Sequence, residues 1–160
     1  MKKVKSQTKS STSNYVRFFL MLLFSGLSMY VTMYFNTYKI SHIYFSWTRF
    51  YMTLIGIGGM ALVMFFFMRQ MYSDRLKNVL IVVGSILLMT ISTVLVRTQT
   101  PIEDVKWMKA MIPHHSIAIL TSSQTKFSDP EVQKLANEII EAQEREIAKM
   151  KEMIKRFEQE

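Results

Sequence analysis

Three long stretches of the chain carry no charged residue: Phe18 to Phe35, Phe50 to Met68 and Val79 to Val96. At about 1.5 Å of rise per residue, each is long enough to cross a hydrocarbon core of roughly 30 Å as a helix. They predict transmembrane helices at 16–35, 48–70 and 78–96, within a membrane domain spanning 16–97. A buried soluble helix can also be apolar all round, but three such runs in under about a hundred residues need a polar shell that this chain lacks. Beyond residue 97 the pattern becomes amphipathic. Glu103 to Ser123 reads as one helix, the region from Lys126 to Asp129 as a turn, and the segment up to Phe157 as a second helix. The predicted fold is all-α, with three transmembrane helices followed by an antiparallel helical hairpin over 98–160.

The start of the second hairpin helix is signalled by Ser128-Asp129-Pro130-Glu131. Ser128 or Asp129 can cap it, Pro130 suits a first turn that needs no N–H, and Glu131 closes a possible capping box with Ser128. Along that helix Leu135, Ile139, Gln143, Glu146, Met150, Met153 and Phe157 recur at four- and three-residue steps and form the expected seam. A hairpin of this size buries little core by itself, so it is expected to pack on a second copy, a partner or the bilayer surface. A dimer forming a four-helix bundle is the simplest solution.

Charge adds topology. The net charge is +8, but the excess lies around the spans. Lys2, Lys3, Lys5, Lys9 and Arg17 precede the first span, and Arg69, Arg75 and Lys77 stand with Asp74 between spans two and three. From Arg97 onward ten basic residues meet eleven acidic ones, so nothing there resembles a nucleic-acid patch. The positive-inside rule puts the N-terminus in the cytoplasm and the C-terminal segment outside, in a multi-pass protein of the cell membrane. Residues 1–15, rich in Lys, Ser and Thr, read as a disordered cytoplasmic tail. Gly26 and Ser28 form a small-x-small pair like a signal-peptide cleavage site, but the apolar run continues past them to Phe35, as in an uncleaved signal anchor.

Composition narrows the chemistry. Without cysteine there is no disulfide, thiolate metal site or thiol nucleophile. Glu-x-x-His does not occur, which removes the di-iron pattern of ferritin-like bundles. His114 and His115 beside Ser116 or Ser122 do not make a nucleophile, base and orienter, so no enzyme is expected. What remains is Met108-Lys-Ala-Met111-Ile-Pro-His114-His115. Methionine three or four residues before histidine brings thioether and imidazole to one patch of a helix, and mixed ligation of that kind suits monovalent copper or silver. Met150 in the second helix is a further candidate thioether. If the hairpin turns near residue 126, His115 faces about Glu138, Met111 faces Ala142 to Gln143, and Met108 faces Arg145 to Glu146. Gln143 and Glu146 are then expected close enough to orient the imidazoles. The stripe Met60, Met64, Met68 and Met71 on the second span, and Met29, Met33 and His42 toward the outer face, are read as packing.

The same segment resembles domain of unknown function family 305. The resemblance is carried by Asp104, Trp107, Met111-Ile112-Pro113-His114-His115, Asp129-Pro130-Glu131, Leu135-Ala136-Asn137-Glu138-Ile139-Ile140 and Gln143 to Met150. Ser116, Ile117 and Thr121 stand where many members have Gln, Gly and Met. The resemblance implies a ferritin-like hairpin, and some members bind copper or silver outside the cytoplasm through Met and His. The expectation is therefore a membrane-anchored, extracytoplasmic protein that binds monovalent copper or silver for tolerance or delivery. The rival is a dimerisation module whose histidines only set the hairpin register.

The charge distribution makes one test immediate. A reporter fused after Glu160 is expected to be active only outside the cytoplasm; activity inside would overturn the topology.

Overall fold

The computed structural model describes Lys2–Gln159, with side chains from Ser13 to Gln159. It is all-helical, with α1 at Lys2–Thr32, α2 at Trp47–Phe67, α3 at Arg75–Thr98, α4 at Asp104–Gln124 and α5 at Pro130–Phe157. Short 3-10 turns lie at Ile40–His42 and Arg69–Met71. Three segments are long and apolar enough to cross a membrane: Ser13–Thr32, Trp47–Phe67 and Arg75–Thr98. The segment expected as a disordered tail, 1–15, is instead helical from Lys2 onward, as the start of α1. The chain divides into two compact units, Met1–Val31 with Phe50–Thr100, and Thr32–Arg49 with Pro101–Glu160. The loop between the first two spans thus belongs with the hairpin.

The first unit is held by Tyr15, Phe18, Leu22, Ala61, Tyr72 and Ile81. Tyr72, in the turn after α2, collects the rings of Tyr15 at 5.0 Å, Phe18 at 5.6 Å and Phe65 at 5.8 Å. The polar ends of this cluster are satisfied locally. Tyr15 Oη donates to Asn78 Oδ1 at 2.7 Å, and Asn78 Nδ2 donates to the Tyr72 carbonyl at 3.0 Å. Asp74 begins α3 by accepting from the Lys77 N–H, which satisfies one of the amides a helix start leaves open. Much of the apolar surface of the spans faces outward, as a lipid environment requires.

In the second unit Asp129 is the N-cap of α5, taking both Glu131 N and Val132 N on Oδ1. Glu131 is therefore the second helical residue, and the capping box expected from Ser128, which needs it third, is replaced by this cap. The expected seam is also rotated. Ala136, Ile147, Met150 and Ile154 are buried with Ile140 against them, whereas Leu135 is 55% exposed and Phe157 also lies outside. The apolar face of α5 is wider than one contact line, and a single partner helix covers only its inner edge. Met108, Ile112 and Ile119 of α4 complete the core. The loop also covers part of α4, bringing Tyr38 and His42 to Ser116.

Two glycines of α2 give a direct test of helix approach. A Cβ at Gly58 meets Met89 Cγ at 2.5 Å and the Ser85 carbonyl at 3.0 Å, whereas one at Gly59 meets nothing within 4 Å. Gly58→Leu is expected to destabilise the detergent-solubilised protein by about 1–3 kcal/mol through overpacking. Gly59→Ala is expected to stabilise it by up to about 1 kcal/mol through helix propensity. Thermal melts of both variants check the contrast.

Candidate functional site

Pro113 interrupts α4 in the middle of the expected motif without ending the helix. Proline lacks the N–H that the Lys109 carbonyl would otherwise accept, so the backbone is under-bonded just ahead of the histidines. The ring is fully buried, which shows that packing holds the turn in place. His114 follows on the exposed side and His115 on the edge of the seam. Their ring centroids are 6.2 Å apart.

His115 has the less ordinary surroundings. Its side chain is only 15% exposed, and Glu146 Oε2 of α5 lies 3.0 Å from Nδ1. That contact is an ion-pair distance without hydrogen-bond alignment: buried Nδ1 has no hydrogen-bond partner. Burial holds the imidazole below its ordinary value of 6.5, Glu146 opposes that shift, His114 adds to it and a hydrogen bond to Gln143 opposes it. The ring is therefore kept neutral at pH 7.

The structure brings His115, Gln143 and Glu146 together, but in a different register from that expected. Glu146, not Glu138, stands opposite His115, a displacement of about two turns. The midpoint of the connection does not set the pairing, because α5 has 28 residues against 21 in α4 and the inner apolar stripe slides to cover Ile112 and Ile119. Lys109 Nζ to Glu158 Oε1, at 2.6 Å, pins the far end in the same sense. Of the candidate thioethers, Met108 and Met150 fill the core, at 3% and 7% exposure, and Met111 lies at its margin. The accessible set is Met111, His114 and His115. Among the described residues no group of three His, Cys, Asp or Glu is placed to hold a metal ion, so a site built from those types alone is not present.

A second polar cluster was not visible from sequence. Ser116, fully buried, accepts from Tyr38 N–H at 2.8 Å and lies 3.0 Å from His42 Nδ1. His42 is itself buried and lies below its ordinary value, through burial first and then Lys151 and Lys39, with Glu144 opposing. Burial and Lys39 likewise lower Lys151. Nothing local in the sequence links residues 74 positions apart. The one available signal was a small polar residue, Ser116, on the same face of α4 as Ile112 and Ile119.

A family model described as a domain of unknown function, DUF305, matches residues 92–160, which takes in all of α4 and α5. An uncharacterized protein of Acanthamoeba polyphaga mimivirus is 34% identical over 107 residues, covering 66% of this chain and 68% of the viral one. The chain belongs to the DUF305 family. Its match begins inside α3, so the DUF305 segment includes the end of the third candidate span as well as the hairpin. No solved structure matches the chain.

Both buried histidines link stability to pH. The folded state holds them neutral, while the unfolded chain protonates near pH 6.5. Stability is therefore fully present above that pH and falls as the pH drops below it, because the unfolded state then binds more protons. Denaturant midpoints followed by tryptophan fluorescence are expected to decrease between pH 7.5 and about 5.5. His115→Gln is expected to flatten part of that decrease.

Proposed function

We propose that this DUF305 protein is a membrane-anchored, extracytoplasmic binder of a soft monovalent cation, copper or silver, with Met111, His114 and His115 as ligands. The observation that carries the reading is His115: an enclosed, neutral imidazole whose Nδ1 lacks an aligned partner, beside an exposed histidine and a thioether at the core margin. Buried polar atoms left without partners are rare enough to call for a missing one. Imidazole and thioether together suit a soft cation; Gln143, hydrogen-bonded to the ring, is positioned to orient it, and the Glu146 carboxylate beside Nδ1 adds negative charge next to the proposed ligand atom. Met108 and Met150 serve the core in this reading and contribute no direct bond. In this proposal the MIPHH segment is the binding motif of a membrane-anchored subgroup of the family, and the role is tolerance or delivery without catalysis.

A different observation favours a second reading. Trp107, Leu135 and Phe157 form exposed apolar surface on α4 and α5, with Trp107 at 49%. A second copy meeting this surface would complete a four-helix bundle, with the histidines setting register. Ile139→Asp is the variant that distinguishes it, since an unpaired charge in a closed seam dissociates a dimer.

Titration of the detergent-solubilised full chain with silver, a redox-stable stand-in for monovalent copper, tests the proposal. Met111→Leu is expected to change folding by under about 1.5 kcal/mol while weakening silver binding. His114→Ala and His115→Ala are expected to weaken it as well, and Glu146→Ala by about 10- to 100-fold. Unchanged affinity across Met111→Leu and both histidine variants would end the metal reading and leave the dimerisation module.

A further inference from the structure

The end of the first unit where α2 passes into α3 is basic. Arg69 lies in the turn after α2, Arg75 is the first residue of α3, and Lys77 follows two residues later. The only acidic side chain of this segment, Asp74, is engaged by Lys77 at 3.3 Å and by its N–H. Among the described residues no acidic side chain forms an ion pair with Arg69 or Arg75, and both are exposed.

Below these two arginines a cleft of about 380 Å³ opens between the helices. Phe65 and Phe66 line it from α2, and Val79, Val82 and Val83 from α3. From Arg75 to Val83 is eight residues, or about 12 Å along the helix axis. The cleft therefore has two guanidinium groups at its mouth and, apart from Asn78, apolar side chains for about 12 Å beneath them. Asn78, which also lines it, has its amide nitrogen turned to the Tyr72 carbonyl.

We propose that this cleft binds one anionic phospholipid, with the phosphate on Arg69 and Arg75 and an acyl chain along Val79, Val82 and Val83. Charge complementarity selects the headgroup: planar guanidinium groups pair with phosphate oxygens in a bidentate manner, and a zwitterionic lipid offsets that attraction with its own cation. The apolar floor selects a lipid over a free anion, which would leave it unfilled. Basic mouths between membrane helices are favoured sites for acidic headgroups for the same reason. The site is independent of the histidines of the second unit.

The test uses the full-length protein in detergent, where membrane orientation plays no part. Native mass spectrometry follows retention of dioleoyl phosphatidylglycerol against dioleoyl phosphatidylcholine. Wild type is expected to retain the anionic lipid preferentially, and Arg69→Gln and Arg75→Gln are each expected to reduce that preference by about five-fold. Lys77→Gln combined with Asp74→Asn, which removes the two paired charges together, is expected to leave it unchanged. Val83→Trp is expected to lower retention with both arginines intact, because the indole fills the chain's path. Equal retention of the two lipids by wild type would overturn the proposal. So would loss on the paired Lys77→Gln and Asp74→Asn change equal to that of the arginine variants, or full displacement by inorganic phosphate, which would indicate a free-anion site. If Val83→Trp forms no stable protein, spin-labelled acyl chains broadening resonances of Val79 and Val82 provide the same discrimination, and absence of broadening there rejects the acyl-chain path.

Discussion

Two helices packed side by side can close only one seam, and the second unit is organised around that limit. Ile112 and Ile119 of α4 meet Ile147 and Ile154 of α5, and this contact buries all four isoleucines. The loop before α2 then covers a further part of α4 through Ser116, and what neither α5 nor the loop reaches stays open. The histidine pair lies at that boundary: His115 turns toward the seam and His114 away from it. The candidate site is thus placed by the edge of the core, where an imidazole can be desolvated and still be reached.

The same edge explains the contrast between the methionines. Met108 and Met150 occupy positions that the seam encloses, and there a thioether acts as a flexible filler. Met111, one turn on from Met108, lies where the core ends. Glu146 belongs to the boundary too, since its carboxylate reaches a buried nitrogen while more than half exposed itself. A fully enclosed carboxylate there would carry a desolvation cost that this arrangement avoids.

Much of the architecture was legible in the sequence because it rests on local pattern. Uncharged runs mark helices that can cross a membrane, and Asp129-Pro130 marks the start of α5 within a residue. The meeting of His115 with the polar residues Gln143 and Glu146 followed from their place in an otherwise apolar stripe. The register and the inner face did not follow. Leu135 and Ile139 have the same periodicity as Ala136 and Ile140, and only three-dimensional packing decides which row faces inward. The small Ala136 wins a buried place that hydrophobicity alone assigns to Leu135. His42 was invisible for another reason: its partner Ser116 lies on a different element, and no spacing rule connects them.

The hydrogen-bonded link from Tyr38 and His42 to Ser116 makes the second unit discontinuous along the chain. During synthesis the loop emerges before α2 and α3 exist, and its docking surface on α4 is made only after both. Contacts of such wide sequence separation form late, since the intervening chain must be ordered first. Completion of this unit is therefore coupled to delivery of both α2 and α3. A chain in which either helix is misplaced would present a finished hairpin lacking its cover, with Ser116 laid open, a surface by which quality-control machinery could tell an assembled molecule from an incomplete one.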